Sequence, residues 1–222
     1  MKKDIKDINY AIFDMDGTLL DTMALWDTAA DRLVIALGYE PFPETREDVR
    51  SMTTGQVAKY VVEKYGTDKS EEEVCALFNK TMEDFYKEEA GFKEGAKELL
   101  DILSAKGVRM CLATATDRHL VNAALERLGI ARMFEFVITC TEVGASKVDP
   151  LIFNTAIERS GVSKENCWVF EDSHFALETA SRAGFSTVGV YDRSFAAFED
   201  IKKKVSDIYV DTLSQVCEML KG

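Results

Sequence analysis

Residues 13–22 read FDMDGTLLDT and set three aspartates within ten positions, directly behind the apolar run Tyr10–Phe13. Four apolar residues ending in such a turn predict a buried strand. A carboxylate brought to the rim of a core is costly unless it is paired or bound to a metal. Asp14 and Asp16 therefore require a compensating group.

Downstream of Lys93 the pattern alternates. Apolar residues at Ala96, Leu99, Leu100 and Leu103, with Gly107 as a stop, predict an amphipathic helix. The run VRMCLATA (108–115) then reads as a buried strand. Helices follow over 118–128, 151–159 and 175–183, strands over 136–139, 167–170, 187–190 and 208–210, and a last helix ends the chain. Repeated strand–helix units with apolar strands predict a parallel sheet covered on both faces, an α/β Rossmann-like core.

Between the first strand and that series the sequence is poor in strand signals. Helices are expected over 24–37 and 56–65, with a long one starting at Glu71 behind the capping box of Ser70 and Glu73. A block this long is too large for a loop between two strands. The expected organisation is a core of residues 1–21 and 92–222 with an all-helical cap, 22–91, inserted into it.

Composition narrows the partners. The 222 residues are 46% hydrophobic, enough for a sizeable core. With 27 Lys plus Arg against 39 Asp plus Glu, the net charge of −12 disfavours nucleic acid and anionic membrane surfaces. Lys2 and Lys3 are followed by Asp4, Lys6 and Asp7, which break any signal-peptide core, and no run is long enough to span a bilayer. Five widely spaced cysteines without a C-x-x-C pair read as buried thiols. The expected location is the cytoplasm, with no protein partner evident.

In open parallel sheets, ligands bind beyond the carboxyl ends of the strands. This chain places Asp14, Asp16, Gly17 and Thr18 after the first strand and Thr114 and Thr116 after the second. Lys147 follows the third, and Glu171, Asp172 and Ser173 the fourth. Asp14 and Asp172 offer hard oxygen ligands suited to Mg²⁺ beside a substrate phosphate. Thr114, the backbone N–H of Ala115 and the Lys147 ammonium suit phosphoryl oxygens. A carboxylate in line with phosphorus can act as nucleophile, which points to Asp14. Asp16, two residues on, can serve as general acid and then base, with Gly17 allowing the tight turn.

The stretches DMDGTLLDT, LATAT, SKVDP and VFEDSHFALETASRAG resemble the four motifs of the haloacid dehalogenase superfamily, in its phosphatase and β-phosphoglucomutase-like branch with a helical cap. The resemblance implies Asp14 as nucleophile and Mg²⁺ ligand, and Asp16 as acid/base that also binds the metal through its carbonyl. It further implies Thr114 and Lys147 as phosphoryl ligands, Asp172 as a metal ligand, and Glu171, with Ser173, acting nearby. The activity implied is Mg²⁺-dependent hydrolysis of a small phosphorylated metabolite through an aspartyl-phosphate.

Departures from the pattern bear on the activity. Asp16 argues for phosphate chemistry over dehalogenation. Sugar phosphomutases of the branch typically carry a His where this chain has Trp26, and an Arg in the loop where it has MTTG, Met52 to Gly55. Val148 stands where the third motif usually has Pro, with Pro150 able to open the next helix. A phosphomutase is the alternative, and a receiver-type phospho-aspartate switch a more distant one, opposed by motif order and the cap.

Other residues have plainer readings. Asp172 and Ser173 can cap the following helix. His119 and His174 are expected to pack locally. Trp26, Met52 and Tyr60 read as core or substrate-facing, and Asp117 and Arg118 as candidate substrate contacts.

Overall fold

A computed structural model describes residues 4–222; Lys2 and Lys3 lie outside the described residues. Six parallel strands form one sheet in the order β3-β2-β1-β4-β5-β6. They are β1 (Tyr10–Phe13), β2 (Arg109–Thr114), β3 (Val137–Thr139), β4 (Cys167–Glu171), β5 (Ser186–Val190) and β6 (Ile208–Val210). β1 pairs on one side with β2, Tyr10 opposite Arg109, and on the other with β4, Tyr10 opposite Cys167. The strand order reverses between β1 and β4, which makes that junction the natural ligand crevice.

Alternation along the strands feeds two cores. Ala11, Phe13, Leu112 and Phe170 join the cluster that α5 (Ala96–Ala105), α6 (Arg118–Arg127) and α11 (Leu213–Lys221) cover. Tyr10, Ile12, Cys111 and Val169 join the other, covered by α8 (Leu151–Ser160) and α9 (His174–Arg182). Period-two alternation with both faces apolar is why these strands read as continuous hydrophobic runs. Pro150 opens α8 from the N-cap position, as expected.

Between β1 and β2 the chain forms α1 (Met23–Ala36), α2 (Thr45–Val49), α3 (Thr54–Tyr65) and α4 (Glu71–Asp84) before α5. The capping box of α4 forms, with Glu73 N–H donating to Ser70 Oγ at 3.2 Å and Ser70 N–H to Glu73 at 2.8 Å. Thr53 and Gln56 build a second one at the start of α3. α4 runs on into a widened turn, Phe85–Glu89, closed by Ala90 N–H on Phe85 O at 2.9 Å. The two segments joining this helical block to the sheet pair with each other, Asp21 N–H to Gly91 O and Lys93 N–H to Leu19 O, both at 2.9 Å.

Three short helices are absent from the sequence reading: α2, of five residues, α7 (Cys140–Val143), which Thr139 and Glu142 open with a capping box, and α10 (Glu199–Val205). Cys111, Cys140, Cys167 and Cys217 are buried and Cys75 is half-buried, a correction to their uniform reading as buried. Among the described residues no helix is long and apolar enough to cross a membrane.

Candidate active site

The end of β1 carries Asp14 into the crevice, where its N–H still bonds Phe170 O of β4 at 3.0 Å. That bond extends the ladder one residue past the strand and fixes the Asp14 backbone. Lys147 reaches the same point from the loop after α7, its ammonium donating to Asp14 Oδ1 and, at 2.7 Å, to Glu171 Oε1. All three groups are buried. Glu171 is held further by the Ser173 N–H at 2.8 Å and hydroxyl at 3.0 Å, both on Oε2. The expected side-chain capping of α9 does not occur: Ser173 occupies the N-cap without a capping bond, its hydroxyl drawn to the carboxylate.

Asp172 accepts from the Thr18 hydroxyl at 3.3 Å through Oδ1, while its buried Oδ2 has no hydrogen-bond partner among the described residues. Gly17 makes room for it. A Cβ on Gly17, whose φ is +80°, would lie 2.2 Å from Asp172 Oδ2. Asp14, Glu171 and Asp172 each present an oxygen within 4.8 Å of the others.

Burial pushes the Asp14 carboxyl up to about 8, with Lys147 pulling it down and Glu171 and Asp16 adding to the rise. Burial, then Glu171 and Asp14, raise Asp172 well above the usual carboxylate range. Burial alone would lower Lys147, but Asp14 and Glu171 outweigh it and hold the ammonium protonated. Clustered buried carboxylates with one orphaned oxygen and one shared cation form a donor set short of positive charge. Such a set fits a hard divalent ion.

Asp16 is placed differently. Its Oδ1 accepts from Thr22 Oγ1 at 2.7 Å and Tyr86 Oη at 2.6 Å, and its Oδ2 from Thr116 Oγ1 at 2.6 Å. Trp26 Nε1, which can only donate, bonds Tyr86 Oη at 2.8 Å and so leaves the phenolic hydrogen for Asp16. Burial and Asp16 hold Tyr86 well above its usual range, as a neutral phenol.

Thr114, buried at the end of β2, accepts the Thr116 N–H at 3.1 Å. Thr114, Ala115 and Lys147 line one cavity together with Asp14, Asp16, Glu171, Asp172 and Ser173. The candidate residues of four strand ends thus converge on a single space, as parallel strands starting from one edge require.

A model of haloacid dehalogenase-like hydrolases matches residues 11–190. The chain belongs to that family. A "Probable pseudouridine-5'-phosphatase" of Drosophila melanogaster is 32% identical to this hydrolase over 197 residues, covering 86% of this chain and 84% of that one. A phosphoglycolate phosphatase of Vibrio parahaemolyticus is 29% identical, covering 97% of each. Among solved structures, CbbY from Rhodobacter sphaeroides in complex with phosphate superposes with a TM-score of 0.79 at 22% identity, covering 97% of this chain and 100% of that one, a likeness of fold.

Several sequence readings are revised. Arg118 does not face the cavity: it pairs with Glu142 at 2.8 Å and Val137 O at 2.7 Å. Asp117 binds Asn79 and Thr141 instead of lining the cavity. Tyr60 donates to Asp48 at 2.6 Å, away from the site, whereas Trp26 and Met52 do line it. His174 stacks on Phe198 at 3.8 Å, as a local packing residue, whereas His119 is exposed. Tyr86 and the cavity residues Arg50 and Phe195 had no sequence signal, since nothing in their local pattern separates them from ordinary core or surface positions.

Proposed function

We propose that this hydrolase is a Mg²⁺-dependent phosphatase acting on a small phosphorylated metabolite, with residues 22–91 as a helical cap over a core of 1–21 and 92–222. The observation that carries the reading is Asp14, buried against Lys147 and Glu171 at a strand end, with a second acid two residues on that accepts from the hydroxyls of Thr22, Tyr86 and Thr116. The named phosphatases among its relatives support it.

Asp14, Asp172 and the Asp16 carbonyl would hold the metal, which when bound supplies positive charge against the phosphoryl oxygens. Lys147, Thr114 and the Ala115 N–H bind and orient the phosphoryl group. An Asp14 carboxylate oxygen attacks phosphorus and the ester P–O bond breaks, while Asp16 donates a proton to the leaving alcohol oxygen. Asp16, now a carboxylate, takes a proton from water. That water attacks the acyl phosphate at phosphorus, releasing phosphate and restoring Asp14. Glu171 fixes Lys147, and Ser173 fixes Glu171.

The test is phosphate release from p-nitrophenyl phosphate and a panel of metabolites, with and without Mg²⁺, for the wild type and Asp14→Asn. Release by the wild type only, abolished by a chelator, is expected. Folded wild type that releases no phosphate and accumulates a stable phospho-aspartate overturns the reading in favour of a phosphomutase or a switch.

A further inference from the structure

The cavity that reaches Asp14 and Lys147 extends to a far wall shared by the helical block and the core. Two edge-to-face aromatic pairs contribute to it: Trp26 with Phe78 from the block, ring centroids 6.0 Å apart, and Phe175 with Phe195 from the core, 6.1 Å apart. Flat apolar walls favour a flat apolar guest, and stacking on aromatic faces is indifferent to ring substituents.

The charges on that wall are already engaged. Arg46 pairs with Asp31 through Nε at 2.7 Å. Arg50 lies 3.3 Å from Glu47 Oε2 and donates through Nη1 to Ser194 O at 2.7 Å. Asp27 accepts the Ser194 hydroxyl at 2.8 Å and lies on the same wall. A second phosphate or a carboxylate on the substrate would need an uncommitted cation here, and the lining offers none. It would also face Asp27.

Donor capacity is nonetheless left over. Arg50 Nε is buried and makes no aligned hydrogen bond, the Glu47 carboxylate being off its N–H axis, and the guanidinium sits 5.3 Å from the Phe195 ring centroid. A cation paired with Glu47, with one buried N–H left without a hydrogen-bond partner among the described residues and the Phe195 ring beside it, suits a neutral acceptor such as a ring carbonyl. The cavity is about 140 Å³ over its whole length, from the Asp14 end to the Phe195 wall, which favours a single ring over a fused pair.

Resting on the phosphatase reading, we infer that the alcohol this hydrolase releases carries one flat, uncharged, carbonyl-bearing heterocycle, as in a pyrimidine nucleoside 5′-monophosphate, with Arg50 as the residue that reads the ring. The ring's binding energy is used remotely to hold the ester at Asp14. Buried donors that expect a partner discriminate strongly against a substrate lacking one.

Uridine 5′-monophosphate and ribose 5-phosphate present the same ester with and without the ring, so their kcat/KM ratio isolates it. A ratio of roughly tenfold or more is expected, falling by about tenfold in Arg50→Met, with phosphoglycolate and fructose 1,6-bisphosphate below both. Ribose 5-phosphate equal to or better than the nucleotide, or either doubly anionic ester ranking first, overturns the inference. Turnover of p-nitrophenyl phosphate reports separately on the phosphatase reading. Should that reading fail, calorimetric binding to Mg²⁺-loaded Asp14→Asn still decides: tighter binding of uridine 5′-monophosphate than of ribose 5-phosphate supports the inference, and equal binding overturns it.

Discussion

Tyr86 donates its phenolic hydrogen to Asp16 Oδ1 at 2.6 Å, across 70 residues of chain and from a helical block to the end of a β-strand. The direction is imposed by Trp26, whose indole N–H occupies the phenol oxygen. The acid proposed to protonate the leaving group therefore has its orientation set by the block above it. Removing the hydroxyl with Tyr86→Phe should lower kcat/KM for an alkyl phosphate by about 10- to 100-fold, the scale of leaving a buried hydrogen-bonding group without its partner. p-Nitrophenyl phosphate, whose leaving group needs no proton, should lose far less. Equal losses for both esters would mean that Tyr86 serves packing alone.

Gly17 is placed where no side chain fits. Its φ of +80° disfavours any L residue, and a methyl group at this position would lie 2.2 Å from a metal-ligand candidate, Asp172 Oδ2. Gly17→Ala should cost ~1–3 kcal/mol of stability from the backbone alone and displace Asp172 as well. The measurement is Tm together with the Mg²⁺ concentration for half-maximal activity, which should rise. A variant with unchanged Mg²⁺ dependence would separate Gly17 from the metal site.

Sequence pattern made the sheet and the four acid-bearing strand ends legible because both are local: apolar runs, turn residues and capping pairs such as Ser70 and Glu73 act over a few positions. What the pattern left hidden depends on docking. Tyr86 sits in the widened turn after α4, and only the packing of that turn against α6 and the end of β1 aims its hydroxyl at Asp16. Arg118 and Asp117 follow the LATAT strand closely enough to suggest substrate contact, yet Glu142 and Thr141 lie nearer and take them. Ser173 has the composition of a helix cap, but its hydroxyl donates to a buried carboxylate two residues away, and with the side chain turned to that bond its oxygen accepts from no N–H of α9.

The Asp14 carboxyl, pushed up to about 8 by burial, couples metal binding to pH. In the metal-free protein Asp14 keeps its proton between the unfolded value near 4 and the folded value near 8, so the folded state binds more protons there and stability falls as pH rises through that window. A divalent ion needs the ionised form and must displace the proton below pH 8. The Mg²⁺-induced rise in Tm should accordingly be larger at pH 8.5 than at pH 6, and this pH dependence should shrink in Asp14→Asn. A rise independent of pH in the wild type would remove Asp14 from the ligand set.

Lys147 is the single ammonium shared by Asp14 and Glu171, and all three are buried. Replacing it with Met keeps much of the volume but strands two acids without a counter-charge. Breaking a buried pair from one side typically costs ~3–5 kcal/mol, so Lys147→Met should unfold at markedly lower temperature at pH 8 than at pH 6, where Asp14 can stay protonated. Mg²⁺ should recover part of the loss by neutralising Asp14 from the other side, and Glu171→Gln added to Lys147→Met should recover more, because it removes the second orphaned charge. Activity should fall at least about a hundredfold in Lys147→Met and stay low in the double variant, since the phosphoryl group loses a donor that neither the metal nor the amide replaces. A double variant no more stable than the single one would show that Glu171 places no demand on Lys147, which then answers to Asp14 alone.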